Sequence, residues 1–158
     1  MDNGKKAEQK IKTWLNRPEE GYSFDRIPDQ LGGLYGGRNI SDFVLFKAPY
    51  QYYIESKETE NDRFDFSRLT DFQREGLKFK STIQNVYGLV IVLFTTYKRA
   101  FILDIRDILA QEEQGNKSIN IKKIDKWTIP YAEIKTIPSR KFMLDYTGEI
   151  EDYLKLLN

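Results

Sequence analysis

Residues 41–57 read SDFVLFKAPYQYYIESK, and this stretch predicts two β-strands joined by a tight turn. Aromatic and β-branched residues dominate Ser41 to Lys47 and Tyr50 to Lys57, as is typical of strands, and Pro49 lies in the turn between them. Side chains alternate between the two faces of a strand. If Lys47 pairs with Tyr50 across the turn, the register of the whole hairpin is fixed.

Two acidic side chains meet in this register. Asp42 would lie opposite Glu55, with Cβ atoms within about 5.5 Å and both carboxylates pointing the same way. Directly opposed like charges destabilise a sheet, and a divalent cation between them would remove that repulsion. Lys57 lies two residues further on the same face, within reach of a bound phosphate. The pattern is typical of metal-assisted phosphodiester hydrolysis. The alternative is an ordinary exposed hairpin, because E-x-K is common by chance.

The composition narrows the chemistry further. The chain has 158 residues and contains neither cysteine nor histidine, which excludes disulfides, thiolate metal sites and catalysis by Ser-His-Asp or Cys-His groups. An enzyme must then use carboxylates and lysine, a donor set that suits Mg²⁺, with Mn²⁺ as a substitute. The glycine-rich residues 32–37 (GGLYGG) are not a P-loop, because no Gly-Lys-Ser/Thr follows. We expect no small-molecule cofactor.

The length of the chain predicts one domain, residues 1–158, with its own core. No apolar run approaches the ~20 residues that cross a bilayer, and Met1 to Lys12 lacks the apolar centre of a signal peptide. We therefore expect a cytoplasmic protein without membrane contact. The net charge of +1 does not by itself indicate a nucleic-acid partner. Basic residues cluster at 117–126 and 135–141, which indicates a solvated face or, if the fold gathers them, a phosphate-binding surface.

Periodicity predicts the order α-β-β-β-α-β-β-α, and hence an α/β fold with a central mixed sheet flanked by helices. The expected strands are at about 22–27, 41–47, 50–57, 87–95 and 100–104. The expected helices are at 3–16, 70–82 and 104–111, with a further helix at 148–157. The apolar positions of the first helix are Ala7, Ile11, Trp14 and Leu15. Those of the second are Leu69, Phe72, Gly76, Leu77, Phe79 and Ile83.

Two helical residues extend the predicted site. Glu8 lies beside the apolar stripe of the first helix and would supply a third carboxylate, or else it pairs with Lys12 at i, i+4 on an exposed face. Gln73 follows Thr70 in the pattern T-x-x-Q, which predicts a capping box. The same placement brings Gln73 and the helix start near a scissile phosphate, where the helix dipole favours an anion. The two interpretations of Gln73 are compatible.

Several segments, taken in order, resemble the RecU-type Holliday junction resolvases of bacteria and their phages, within the PD-(D/E)xK nuclease group. The resemblance covers most of residues 3–110 and, more loosely, 140–156. The segments that carry it are Asn3-Gly4-Lys5-Lys6-Ala7-Glu8, Arg26-Ile27-Pro28-Asp29, Gly37-Arg38-Asn39-Ile40-Ser41-Asp42-Phe43, Pro49-Tyr50, Ile54-Glu55-Ser56-Lys57, Phe66-Ser67-Arg68-Leu69, Gln73, Gly88 to Phe94 and Phe101 to Ile105.

The resemblance implies a restriction-endonuclease-like (PD-(D/E)xK) core and a homodimer that nicks symmetrically related strands of four-way junction DNA with Mg²⁺ or Mn²⁺. It also implies roles for particular residues. The metal ligands would be Asp42, Glu55 and the carbonyl of Ser56, and the catalytic lysine would be Lys57. The family's first-helix glutamate and its helix glutamine fall on Glu8 and Gln73. Candidate phosphate contacts are Lys5, Lys6 and Arg38.

Two departures from the family bear on the substrate. Cellular members carry an N-terminal extension, so this chain resembles a compact, phage-like version. The family's projecting stalk has no room directly after Lys57, where only the charged residues 58–65 are available, and this makes junction selectivity less secure than nuclease chemistry. The rival interpretations are a related restriction or repair nuclease that cuts duplex DNA, and a non-catalytic DNA-binding or protein-binding domain of the same fold.

Overall fold

The computed structural model describes residues 3–16, 21–28 and 38–137, together with Phe142 and Leu144. Within these residues there are three α-helices, α1 (Asn3–Leu15), α2 (Asp71–Lys80) and α3 (Ile105–Glu113). The strands are β1 (Tyr22–Arg26), β2 (Phe43–Lys47), β3 (Tyr50–Thr59), β4 (Arg63–Asp65), β5 (Val86–Phe94), β6 (Arg99–Asp104), β7 (Ser118–Asn120) and β8 (Ala132–Ile134). None of the helices described is long and apolar enough to cross a membrane.

Six of the strands form one mixed sheet in the order β1-β2-β3-β5-β6-β8. The central pair, β3 and β5, is parallel, and the other neighbours are antiparallel. The parallel pair needs a crossover connection, which the chain between β3 and β5 provides with α2. The predicted central mixed sheet with flanking helices is therefore confirmed.

The β2–β3 hairpin has the predicted register. Lys47 lies opposite Tyr50, and the pairing continues without a slip to Phe43 and Ile54. The turn contains a cis peptide bond between Ala48 and Pro49. Because the turn fixes which residues face each other, the sequence was sufficient to predict this part of the sheet.

Side chains from the two faces of the sheet enter separate cores. On one face, the α1 residues predicted to be buried pack with alternate residues of β2 and β3, and the residues of this layer include Ala7, Ile11, Trp14, Leu15, Phe43, Leu45, Tyr52 and Ile54. On the other face, α2 and α3 pack with alternate residues of β5 and β6, and this layer includes Leu77, Ile105, Ile108, Val90, Val92, Phe101 and Leu103. Since β3 alternates, Glu55 faces the α2 side while Ile54 faces α1.

The predicted buried face of α2 is partly wrong. Leu77 is buried, but Phe72 and Phe79 are 42% and 66% exposed, and Ile83 beyond the helix is 44% exposed. The helix turns Gln73 and Leu77 toward the sheet instead. Gly76 allows a close approach on another side, since a Cβ atom there would lie 2.1 Å from Cγ2 of Ile40.

The predicted order of the longer elements is also confirmed, with boundaries that differ by one or two residues. The sequence missed β4 and β8, which are three residues each and too short to show a period. Residues 117–127, where the pattern indicates a short extended piece or a helical turn, contain β7 and a 3-10 turn at Ile121–Lys126. β4 and β7 form a second, two-stranded antiparallel sheet. The helix predicted at 148–157 lies outside the described residues.

Candidate active site

The candidate site lies where β3 stops being flanked on both sides. Pairing with β2 ends at Ile54, whereas pairing with β5 continues from Glu55 through Thr59. In the described part of the chain, residues 55–59 have no strand partner on the β2 side. We call residues 55–59 the free half of β3 and residues 50–54 the paired half. Backbone groups and side chains of the free half are therefore open to a cleft.

Asp42 closes the start of this edge. Its backbone N–H donates to the carbonyl of Ile54 (3.0 Å), and its Oδ2 accepts from the backbone N–H of Ser56 (2.8 Å) and from Ser56 Oγ (2.6 Å). The strand predicted from Ser41 begins only at Phe43. Asp42 thus precedes the strand and binds Ser56, instead of pairing directly opposite Glu55 as the sequence predicted. Its carboxylate nevertheless reaches the same cleft.

Glu55 is the buried carboxylate of the site, with its side chain only 5% exposed. Oε1 accepts from Gln73 Nε2 (2.8 Å) and lies 3.1 Å from Lys57 Nζ. Burial and the charge of Asp42 raise the pKa of Glu55 to about 7, although Lys57 opposes this rise. A carboxylate whose pKa is raised in this way holds a proton up to a higher pH than an exposed carboxylate does.

Gln73 forms the predicted capping box and also contacts the candidate site. Its backbone N–H donates to Thr70 Oγ1 (3.2 Å), and its Oε1 accepts from the backbone N–H of Thr70 (3.1 Å), which completes a capping box at the start of α2. The remaining amide nitrogen donates to Glu55. The side chain therefore joins the helix start to the buried carboxylate.

Glu8 reaches the cleft from α1. Its Oε2 accepts from Arg26 Nε (2.9 Å) and lies 2.9 Å from Arg26 Nη2, so the ion pair that forms is with β1 and not the predicted alternative with Lys12. Glu8 is close enough to contribute to the raised pKa of Glu55. Sequence spacing could not reveal a pair formed by residues 18 positions apart.

The cleft has a volume of about 390 Å³ and an excess of acidic groups. Its lining carries five carboxylates and two cations, namely Glu8, Asp42, Glu55, Glu58, Glu60, Lys57 and Arg68. Sequence reasoning did not assign a role to Glu58, Glu60 or Arg68. Arg68 stood in a segment that resembled the nuclease family, and this was the one signal that pointed to it.

The predicted phosphate contacts are less closely tied to the cleft. Lys5, Lys6 and Arg38 are exposed. Burial raises the pKa of Glu58, and the charges of Lys10 and Lys6 lower it, which puts Lys6 near the rim of the cleft. Among the described residues, no contact brings Lys5 or Arg38 to the cleft. Four lysines of the basic cluster, Lys117, Lys122, Lys123 and Lys126, are exposed, and Lys122 pairs with Asp62 (2.9 Å).

The donor atoms of the site suit a hard divalent cation. The described residues contain no group of three acidic side chains spaced to hold an ion, so two carboxylates need a further oxygen. The N–H and C=O groups of a strand residue point toward the same neighbouring strand. Since the Ser56 N–H points at Asp42, the Ser56 carbonyl faces the same edge. Two carboxylates and one carbonyl are oxygen donors that Mg²⁺ and Mn²⁺ accept.

The family model described as Recombination protein U matches residues 40–152. The matched range contains Asp42, Glu55, Ser56, Lys57 and Gln73 but not Glu8, Lys5, Lys6 or Arg38. Among solved structures, the chain is similar to Hjc, a Holliday junction resolvase from Archaeoglobus fulgidus, with 13% identity and a TM-score of 0.50 over 75% of this chain and 89% of Hjc. None of the curated proteins matches the chain. The likeness to Hjc confirms the restriction-endonuclease-like fold.

Proposed function

The chain belongs to the recombination protein U family, and on this premise we propose that it is a metal-dependent DNA endonuclease that resolves four-way (Holliday) junctions by paired, symmetric nicks. The observation that carries the proposal is the meeting of Asp42, Glu55 and Lys57 in one cleft at the free half of β3. The fold adds support, since Hjc is itself a Holliday junction resolvase.

Asp42, Glu55 and the Ser56 carbonyl would hold Mg²⁺, for which Mn²⁺ would substitute. A divalent ion bound there supplies positive charge to the phosphate under attack and makes water a better nucleophile. Glu55 accepts both of its hydrogen-bonded partners at Oε1, which leaves Oε2 for a ligand. Glu8 assists from α1 while Arg26 fixes its direction.

Lys57 and Gln73 act on the substrate and on Glu55 respectively. Lys57 Nζ is held beside Glu55 and would bind a non-bridging oxygen of the scissile phosphate, where it stabilises the charge that develops during attack. Gln73 holds the Glu55 carboxylate in one orientation from the start of α2. We propose that Lys5, Lys6 and Arg38 are outer contacts to the DNA backbone. We also propose that the protein acts in the cytoplasm, which would be the host cytoplasm if a phage encodes it.

We also propose that two copies of the chain act together. A four-way junction has two-fold symmetry, and paired nicks need two active sites related by that symmetry. The exposed apolar residues Phe72, Phe79 and Ile83 on and beside α2 offer a surface that a second copy would cover. Native mass spectrometry showing monomers alone, with and without junction DNA, would contradict the dimer.

The test compares a synthetic four-way junction with a linear duplex of the same sequence, each with Mg²⁺ or EDTA. Wild type should nick the junction in pairs, only with metal. Asp42→Asn should lower the rate by on the order of a thousandfold, because losing a metal ligand removes several kcal/mol of transition-state stabilisation. Asp125→Asn, at an exposed carboxylate outside the cleft, is the control and should cut normally.

The rival interpretations give different results in the same assay. Cutting of the linear duplex would keep the metal site but make the chain a nuclease of restriction or repair type. Binding of DNA without cutting, unchanged by Asp42→Asn, would identify a non-catalytic domain. Binding that does not weaken with salt would overturn the proposed phosphate contacts, since each contact releases counterions.

A further inference from the structure

Arg68 lines the same cleft as the proposed metal ligands. It is the last residue of a 3-10 turn, Phe66–Arg68, which joins β4 to the capped start of α2. The side chain is exposed, unlike that of Glu55. It thus belongs to the cleft although it comes from neither strand of the hairpin.

Two contacts orient the guanidinium of Arg68. Nη1 donates to the backbone carbonyl of Glu58 on the free half of β3, and the guanidinium carbon lies 5.3 Å from the centroid of the buried Phe64 ring. Stacking on an aromatic face and one hydrogen bond restrict a planar group without removing its charge. A guanidinium has five N–H donors, and in the described part of the chain only this one bond uses them.

The charge of Arg68 is the least neutralised in the cleft. Of the two cations that line it, Lys57 is paired with Glu55 at 3.1 Å. Arg68 has no ion pair with any carboxylate of the described residues, although its charge is among those that lower the pKa of Glu58. A DNA strand entering a cleft with five carboxylates is repelled unless cations meet it. Guanidinium binds phosphate through two parallel hydrogen bonds.

We propose that Arg68 binds a backbone phosphate of the DNA strand that enters the cleft, beside the phosphate that Lys57 contacts. The assignment rests on the proposed nuclease function and adds a substrate-binding residue to it. The bond to Glu58 and the Phe64 ring hold the guanidinium in place before DNA arrives, so little side-chain entropy is lost on binding. The competing account is that Arg68 only braces the edge of β3.

The two accounts separate in Arg68→Gln and Arg68→Lys. Glutamine keeps a donor for the Glu58 carbonyl but removes the charge, while lysine keeps the charge but not the planar pair of donors. The matched control is Arg99→Gln. The Arg99 guanidinium also stacks on a phenylalanine ring, Phe101 at 5.2 Å, but it is paired with Glu133 and does not line the cleft.

Junction affinity is measured between 50 and 300 mM KCl in an Asp42→Asn background, and single-turnover cleavage is measured with Asp42 intact. Arg68→Gln should bind about tenfold more weakly at the lowest salt, and the slope of log Kd against log salt should fall by about one. Arg68→Lys should keep the slope and lose part of the affinity, and Arg99→Gln should match wild type.

The outcomes distinguish this assignment from the function on which it rests. If wild type cuts the junction and Arg68→Gln keeps the wild-type affinity, salt slope and rate, the Arg68 assignment alone is overturned. If Arg68→Gln and Arg68→Lys lose stability equally while their DNA affinity is unchanged, Arg68 only braces the edge of β3. That result would also overturn the assignment of Arg68 to phosphate binding. If wild type cuts no DNA, the nuclease function itself fails.

Discussion

The two halves of β3 differ in what surrounds them and in what their residues do. In the paired half, β2 and β5 flank the strand, and its side chains include the fully buried Ile54. In the free half, β5 is the one strand among the described residues that flanks it, and the residues are charged or polar, from Glu55 to Thr59. One strand therefore supplies both a core and a reactive edge. The candidate site lies at Glu55, where the strand passes from the core to the open edge.

This change along one strand gives the candidate site a backbone paired with β5 on one side and a cleft on the other. The paired half and β5 hold the backbone of the free half in place from two directions. Because β2 does not extend beside the free half, the cleft leaves room for ligands at backbone and carboxylate oxygens. Side chains on a regular strand are held in a more precise geometry than side chains on a loop. Changes in the paired half should therefore affect stability, and changes in the free half should affect chemistry.

The largest expected effect is that of Ile54→Ala in the paired half. The side chain is 0% exposed in the α1-side core, and such truncations cost about 2–5 kcal/mol of unfolding free energy. Urea denaturation would measure this loss. Cleavage per folded molecule, measured at low temperature, should stay within a few-fold of wild type. A large loss of rate in fully folded protein would show that the two halves are not separable.

The next effect concerns Glu55 in the free half. It should be measurable as the pH dependence of the unfolding free energy of the metal-free protein. The pKa of Glu55 is raised to about 7 from an ordinary value of 4.5, so between these values the folded state holds a proton that the unfolded state has lost. The stability that Glu55 contributes should be fully present below pH 4.5 and should be lost as pH rises through 7. The loss attributable to Glu55 is about 3 kcal/mol, since one pKa unit is worth about 1.4 kcal/mol.

Glu55→Gln should remove this dependence and make the metal-free protein more stable than wild type at pH 8, as thermal unfolding would show. Mg²⁺ should raise the wild-type Tm more at pH 8 than at pH 5.5, because a proton competes with the cation for the carboxylate. Parallel pH curves for the two proteins would contradict the assignment of this titration to Glu55.

The smallest effect compares two changes at the start of α2. Gln73→Ala and Thr70→Ala both break the capping box and should each lower stability by about 1 kcal/mol. Only Gln73→Ala also removes the contact to Glu55, and it should lower the cleavage rate by about 10- to 100-fold, as is usual for residues that orient metal ligands. Equal cleavage rates in the two variants would show that Gln73 acts only as a helix cap.

The sequence predicted the hairpin and its surroundings well because each rests on local rules. A tight turn fixes the register, which Lys47 and Tyr50 confirm, and T-x-x-Q predicts a cap that the structure contains at Thr70 and Gln73. The predicted site residues Glu8, Asp42, Glu55, Ser56 and Lys57 all line one cleft. Their roles in catalysis stay predictions.

The features that the sequence did not reveal depend on contacts between distant elements. Periodicity placed Phe72 and Phe79 inside, yet α2 instead turns its polar Gln73 toward Glu55 and leaves both rings exposed. Local pattern and global fold disagree at this helix, as is expected where a site takes precedence over core packing. Arg68 was missed for a similar reason, since its contacts with Glu58 and Phe64 follow from folding and not from spacing.

The free half of β3 also has a consequence for how molecules of this protein behave in a crowded solution. An unpaired strand edge is a template on which another chain can add a strand and begin to aggregate. Here the Asp42 carboxylate occupies the Ser56 N–H, and Arg68 occupies the Glu58 carbonyl, while the flanking charges repel an incoming apolar strand. The same groups that are proposed to handle metal and DNA thus act as gatekeepers of the exposed edge.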